Sequence, residues 1–184
     1  MALENNIFSI GYGNKDINDF ILELESFRIE FLIDIRSKPY SKFNEMFNQK
    51  LLKLAIETRG IKYGFMGDSL GGLPSDRSCY TQNNKVDYNI LKTKDFFIEG
   101  LKRLQDANEK KYKVCVMCSE SNPKDCHRAK LIGVELQKVG IELRHIIGVS
   151  KEKTQIQVIS EITKGDGLTT LFGEDNLTSR KKYI

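Results

Sequence analysis

The chain has 184 residues, 40% of them hydrophobic and 29% charged with only three prolines, which suits one globular domain with a sizeable core and excludes a disordered or collagen-like polypeptide. Lys and Arg number 29 against 25 Asp and Glu, and the resulting +4 is compatible with an anionic ligand but too small to mark a nucleic-acid binder by itself. No basic segment leads into an apolar one near the start and no apolar run is long enough to span a bilayer, so a cytoplasmic protein without a membrane partner is expected.

In chain order, the apolar run 7–10 ends in Gly11-Tyr12-Gly13 and predicts a strand and a turn; Asp16 then caps a helix over 17–27. Residues 31–35 read as a second buried strand, Pro39 interrupts, and 49–56 resume helical spacing up to Gly60. Residues 61–65 predict a third strand, followed by a long polar loop over 66–86, of the length that tends to carry function or motion. A helix over 88–108, a strand over 113–118, a helix over 124–139 and a strand over 141–147 complete the pattern. Residues 155–162 suit an edge strand or a short helix, and 165–184 are polar and end in Arg180-Lys181-Lys182. The alternation predicts a three-layer α/β domain over 1–150 with a mainly parallel sheet of about five strands, and a partly ordered appendage over 151–184. In such a sheet the loops after the strands gather along one edge, where ligands bind.

Four cysteines are present, and Cys115, Cys118 and Cys126 crowd into one short segment. With no export signal in view, free thiols, a metal site or catalysis are better readings than structural disulfides. The densest group of chemically capable residues starts at the end of the fourth strand. Cys118 and Glu120 lead into a loop, and Pro123 precedes a segment carrying Cys126, His127 and Arg128. Unpaired backbone N–H groups at a helix start favour an anion and depress a thiol pKa, and Arg128 would add a planar fork for phosphate or carboxylate. Alternatively, Arg128 braces the fold against Asp34 or Glu120, and Cys118 is a small buried hydrophobe.

A second group, Asp34-Ile35-Arg36-Ser37-Lys38-Pro39-Tyr40-Ser41, follows the second strand and emerges at the same edge. Arg36 and Ser41 can approach an anion while Asp34 orients a neighbour or acts as a base; a buried Asp34–Arg36 or Asp34–Arg128 pair is the structural alternative. Tyr40, Phe43 and Phe47 among Lys38, Lys42 and Lys50 can stack a base beside a phosphate track, or Phe43 and Phe47 can anchor a short helix at i, i+4 spacing. Cys115 and Cys118 have the spacing of half a zinc site. Residues three apart in a strand face opposite ways, however, and adjacent ligands at Cys126 and His127 lack the usual separation, so neither a metal nor another cofactor is expected.

These motifs resemble the family called Domain of Unknown Function 488. Asp34, Arg36, Pro39 and Ser41 fit its Asp-x-Arg-x-x-Pro-x-Ser segment, Leu70-Gly71-Gly72 its Leu-Gly-Gly loop, and Cys118, Glu120, Pro123, Cys126, His127 and Arg128 its Cys-x-Glu-x-x-Pro-x-x-Cys-His-Arg segment. At the first turn, Tyr12 and Gly13 stand where the family usually has His and Ser. The resemblance spans about 7–147 and implies a Rossmann-like fold with an active-site-like cleft, but it supplies no reaction. The expected site comprises Cys118, Glu120, His127 and Asp34 for chemistry, with Arg36, Ser41, Tyr12, Gly71, Gly72, Cys126 and Arg128 for substrate. An enzyme acting on a nucleotide or nucleic acid is the leading functional expectation. A noncatalytic nucleotide or nucleic-acid binding module and a partner-binding structural protein are the alternatives.

Overall fold

Two strands are buried at every residue, and they form the centre of the sheet: β1 (Ile7–Gly11) and β4 (Val114–Cys118). Apolar side chains on both faces of a strand require cover on both sides, as parallel sheets provide. The computed structural model describes residues 5–165, 169–170, 173–174 and 178–179. With β2 (Phe31–Asp34), β3 (Lys62–Phe65), β5 (Arg144–Gly148) and β6 (Lys151–Thr154), the strands order as β3-β2-β4-β1-β5-β6. The ladders β2–β3, β2–β4, β1–β4 and β1–β5 are parallel and β5–β6 is antiparallel, so the fold is α/β with a mixed sheet of six strands.

That corrects the expectation of a mainly parallel sheet of about five strands. Between Gly148 and Lys151 the chain reverses without a crossover helix, with Ser150 at φ 53°, and a tight reversal leaves only the antiparallel direction for the returning strand.

Alternation along β4 divides the core. Cys115 and Met117 face a layer formed by α1 (Ile17–Ser26) and α2 (Gln49–Glu57), which bury Phe20, Ile21, Leu24, Leu52 and Ile56. Val114, Val116 and Cys118 face the other layer, with Leu91 of α3 (Tyr88–Leu91), Phe97, Leu101 and Leu104 of α4 (Asp95–Glu109), and Leu136 of α5 (Val134–Lys138). The i, i+4, i+7 spacing of Phe97, Leu101 and Leu104 forms the inward stripe of α4. Each fully buried side chain of this kind contributes about 1.5–3 kcal/mol.

Two further expectations change, and of the two readings for residues 155–162 the short helix is the one found. The helix over 88–108 is two helices, because Lys94 is extended at ψ 137° and starts α4 afresh. The helix over 124–139 is a 3-10 turn at Pro123–Asp125, an extended Cys126, a π-helical segment Arg128–Gly133, and then α5. Residues 155–162 lie in the helix α6 (Gln155–Thr163), which Thr154 and Gln157 start with a reciprocal capping box. Beyond residue 150, β6 joins the sheet and Gln155 Nε2 donates to Ala129 O at 2.9 Å. Thr169–Thr170 and Gly173–Glu174 make a two-stranded ladder, and Arg180-Lys181-Lys182 lies outside the described residues. No helix of the described residues is long and apolar enough to cross a membrane.

Candidate active site

The strands β2, β4 and β1 are neighbours, so the loops at their carboxyl ends meet. Backbone bonds hold them together: Tyr12 N donates to Cys118 O at 3.2 Å, Gly13 N to Ser119 O at 2.9 Å, and Ile35 N to Met117 O at 3.1 Å. Above them lies a cleft of about 480 Å³ whose lining includes Tyr12, Arg36, Ser41, Gly72, Cys118, Glu120, Cys126 and His127. Eight residues expected from the sequence thus share one cavity. Asp34, Gly71 and Arg128 do not line it.

Asp34 ends β2 completely buried, and its oxygens are occupied. Oδ1 accepts from Arg36 N at 3.1 Å and Arg36 Nε at 2.9 Å, and Oδ2 accepts from Arg36 Nη2 at 2.7 Å and Tyr63 Oη at 2.8 Å. Its role in this arrangement is to orient Arg36. Burial, together with the charge and hydrogen bond of Asp34, pushes the Tyr63 phenol up, so it stays a donor. Burial opposes the Arg36 charge, but Asp34 more than offsets it and the guanidinium pKa rises. Arg36 is 5% exposed and its plane lies 5.3 Å from the centre of the Tyr12 ring, which stacks on Phe47 at 4.3 Å. With Nε and Nη2 committed to Asp34, Nη1 has no hydrogen-bond partner among the described residues. A buried donor of that kind costs free energy until something accepts from it.

Arg128 is fully buried under the loop after β4 and donates from Nη1 to Glu120 O at 2.8 Å and from Nη2 to Ser121 O at 3.0 Å. It braces the loop that presents Glu120, through backbone carbonyls rather than through the pair with Asp34 or Glu120 weighed above. Gly11 allows this approach, since a Cβ there would lie 1.8 Å from Glu120 O and 2.9 Å from Arg128 Nη2. Gly71 is equally confined, with a Cβ position 2.1 Å from Gly67 O.

The same cleft collects sulfur and imidazole groups. His127 Nε2 sits 2.9 Å from Leu70 O, and Nδ1 lies 3.6 Å from Cys126 Sγ and 3.9 Å from Cys118 Sγ. Cys118 Sγ donates to Glu120 Oε2 at 3.0 Å, and Arg128 N donates to Cys126 Sγ at 3.5 Å. Hydrogen bonding to Cys126, burial and the Glu120 charge hold the Cys118 thiol well above the usual range. For Cys126, burial raises the pKa, but the Cys118 hydrogen bond and the positive charges of Arg128 and His127 win, and the thiol falls well below the usual range. Burial lowers the His127 pKa, but Cys126 and Glu120 outweigh it and hold it up.

Cys115 faces the α1–α2 layer, away from this cluster, as strand geometry predicts. The objection to adjacent ligands at Cys126 and His127 does not hold. Cys126 is extended (φ −119°, ψ 148°) and His127 is helical (φ −60°, ψ −21°), so the chain bends between them and the two side chains turn to one point. Phe43 and Phe47 also part company: Phe47 is core, whereas Phe43 is fully exposed beside Lys42 at the mouth of the cleft. Leu73, Tyr88, Asp125 and Ser179 line the cavity without having been expected there. Ser179 reaches it because its N and Oγ pair with Val86, a contact across 93 positions that local sequence does not signal.

The model of the family described as domain of unknown function DUF488 matches residues 16–134. The chain belongs to that family. The matched span holds the Asp34–Arg36 pair, the Leu70-Gly71-Gly72 loop and the whole Cys118 to Arg128 segment, so the cleft wall is mostly family sequence, whereas Tyr12 and Ser179 lie outside it. Comparison with curated proteins and with solved structures returns no match.

Proposed function

We propose that the protein is an enzyme, a hydrolase or transferase, that acts on a phosphate-bearing substrate, either a nucleotide or a nucleic acid. The observation that supports this reading is the unpartnered, buried Nη1 of Arg36, a residue held in place by Asp34 that lines the same cleft as Cys118, Glu120, Cys126 and His127. In this reading the sheet serves as a Rossmann-like platform, with ligand held outside the carboxyl ends of its parallel strands. Arg36 donates to a phosphate oxygen, Lys38 and Lys42 at the rim add positive charge, and Ser41 and Tyr12 border the anion. Each charged hydrogen bond contributes about 1.5–3 kcal/mol. Glu120 stands beside the reacting centre as proton donor or acceptor.

The test is a screen of phosphate monoesters, diesters, nucleotides and oligonucleotides against wild type, Arg36→Met and Glu120→Gln. Turnover by wild type, substrate affinity weakened about tenfold or more in Arg36→Met, and turnover lost in Glu120→Gln are expected. Tyr40 and Phe43, 64% and 101% exposed beside the rim lysines, favour a second reading, a binding module that stacks bases. Salt-dependent oligonucleotide binding without turnover of any substrate would select it.

A further inference from the structure

Cys118 Sγ, Cys126 Sγ and His127 Nδ1 lie within 4.8 Å of one another. The ring is set for lone-pair donation. Leu70 O accepts only, so the nearby Nε2 carries a hydrogen toward it, and Nδ1 is the nitrogen turned to both sulfurs. Metal-bound histidines are characteristically held this way, their second nitrogen donating to a carbonyl or carboxylate. Gly72 packs against the face of this ring, where a Cβ would stand 2.8 Å from Nδ1. Zinc bonds of about 2.3 Å to sulfur and about 2.0–2.1 Å to nitrogen at tetrahedral angles place sulfur and nitrogen about 3.5 Å apart. The two sulfur–nitrogen separations here are 3.6 and 3.9 Å, within a few tenths of an ångström of that spacing, and the two sulfurs lie within 4.8 Å of each other.

The geometry points to a zinc site in which Cys118, Cys126 and His127 hold one ion and the fourth position opens into the cleft. Two sulfurs and one imidazole suit a borderline-soft cation, and three protein ligands with one open position are the pattern of catalytic rather than structural zinc. On binding, each thiol that carries a proton releases it to solvent as its Zn–S bond forms. A Zn–S bond at Cys118 replaces the hydrogen bond that its Sγ donates to Glu120 Oε2 at 3.0 Å. Metal binding stands on the three side chains alone. Its use as a Lewis acid toward a phosphate oxygen rests on the function proposed above.

The full chain, stripped with chelator, is titrated with zinc against a chromophoric competitor and separately loaded with cobalt(II). One equivalent of zinc is expected, with a tetrahedral cobalt spectrum bearing a thiolate-to-metal charge-transfer band. Cys118→Ser, Cys126→Ser and His127→Ala should each weaken zinc binding by about 100-fold or more, whereas Cys115→Ala keeps one equivalent. Absence of stoichiometric zinc, a cobalt spectrum without thiolate charge transfer, or equal loss in Cys115→Ala would overturn the site. The cobalt spectrum is read on wild type and does not depend on any variant folding. Zinc bound with no phosphate compound turned over upholds the site and sinks the proposed reaction; turnover by fully metal-free protein upholds the reaction and sinks the catalytic use of zinc.

Discussion

The guanidinium of Arg36 is held by a carboxylate with no exposed surface, and the pair behaves as one unit. Removing one member of a buried pair strands the other charge, so Asp34→Ala is expected to cost about 3–5 kcal/mol in denaturant unfolding and to release Arg36 from its pose. Arg128→Met tests a different bond pattern. It removes two charged hydrogen bonds to the carbonyls of Glu120 and Ser121, each of about 1.5–3 kcal/mol, so the melting temperature should drop while phosphate binding through Arg36 survives in the folded fraction. Loss of phosphate affinity with unchanged stability would show that Arg128 meets the ligand instead. The Asp34, Arg36 and Ser41 group was legible because an acid and a base two apart on an extended chain after a buried strand must emerge on one side. Which of Arg36 and Arg128 faces the cleft was not legible, since both carry the same fork and only the loop path decides which carbonyls consume it.

Among the elements, β5 and α6 are joined by a buried relay. His145 Nδ1 meets Ser9 Oγ at 2.6 Å, His145 Nε2 meets Gln155 Oε1 at 2.8 Å, and Gln155 Nε2 goes on to Ala129 O. Burial, against the opposing hydrogen bond from Gln155, lowers the His145 pKa to about 4. The folded value lies below the unfolded one of about 6.5, so the unfolded chain takes up a proton first, and stability is present above about 6.5 and lost as pH falls toward 4. Chemical denaturation at pH 7 and pH 4.5 should show the acid loss reduced by about 2 kcal/mol in His145→Gln relative to wild type. Sequence periodicity located every one of the first five strands because their apolar runs are short and bounded by turns. It missed the break at Lys94 and the irregular start of the segment after Pro123, since apolar spacing continues across both and backbone dihedrals leave no mark in it.

At the scale of the whole molecule, the β-α alternation was sufficient to bring three distant loops to one edge, because parallel strands leave no other place for them. The closing hairpin was harder to read. Lys151-Glu152-Lys153-Thr154 has no apolar face and pairs only through its backbone and through ion pairs such as Arg144 to Glu152 at 2.7 Å. A chain ended at residue 150 would lose β6, α6 and the Gln155 link to the π-helical segment, leaving buried His145 short of a partner. It should unfold at a lower temperature than the full chain and expose the edge of β5, which light scattering would register as association. The π-helical segment itself sets a constraint on how the family can change length. An α-helical residue turns the chain by about 100°, so deleting one residue between Arg128 and Gly133 would let the segment relax to ordinary helix with its apolar content nearly intact while swinging Cys126 and His127 about a quarter turn out of the cleft. Descendants of this fold can therefore lose the chemistry through a single codon deletion without losing the protein, and natural chains lacking that residue should be found to have abandoned the cysteine and histidine as well.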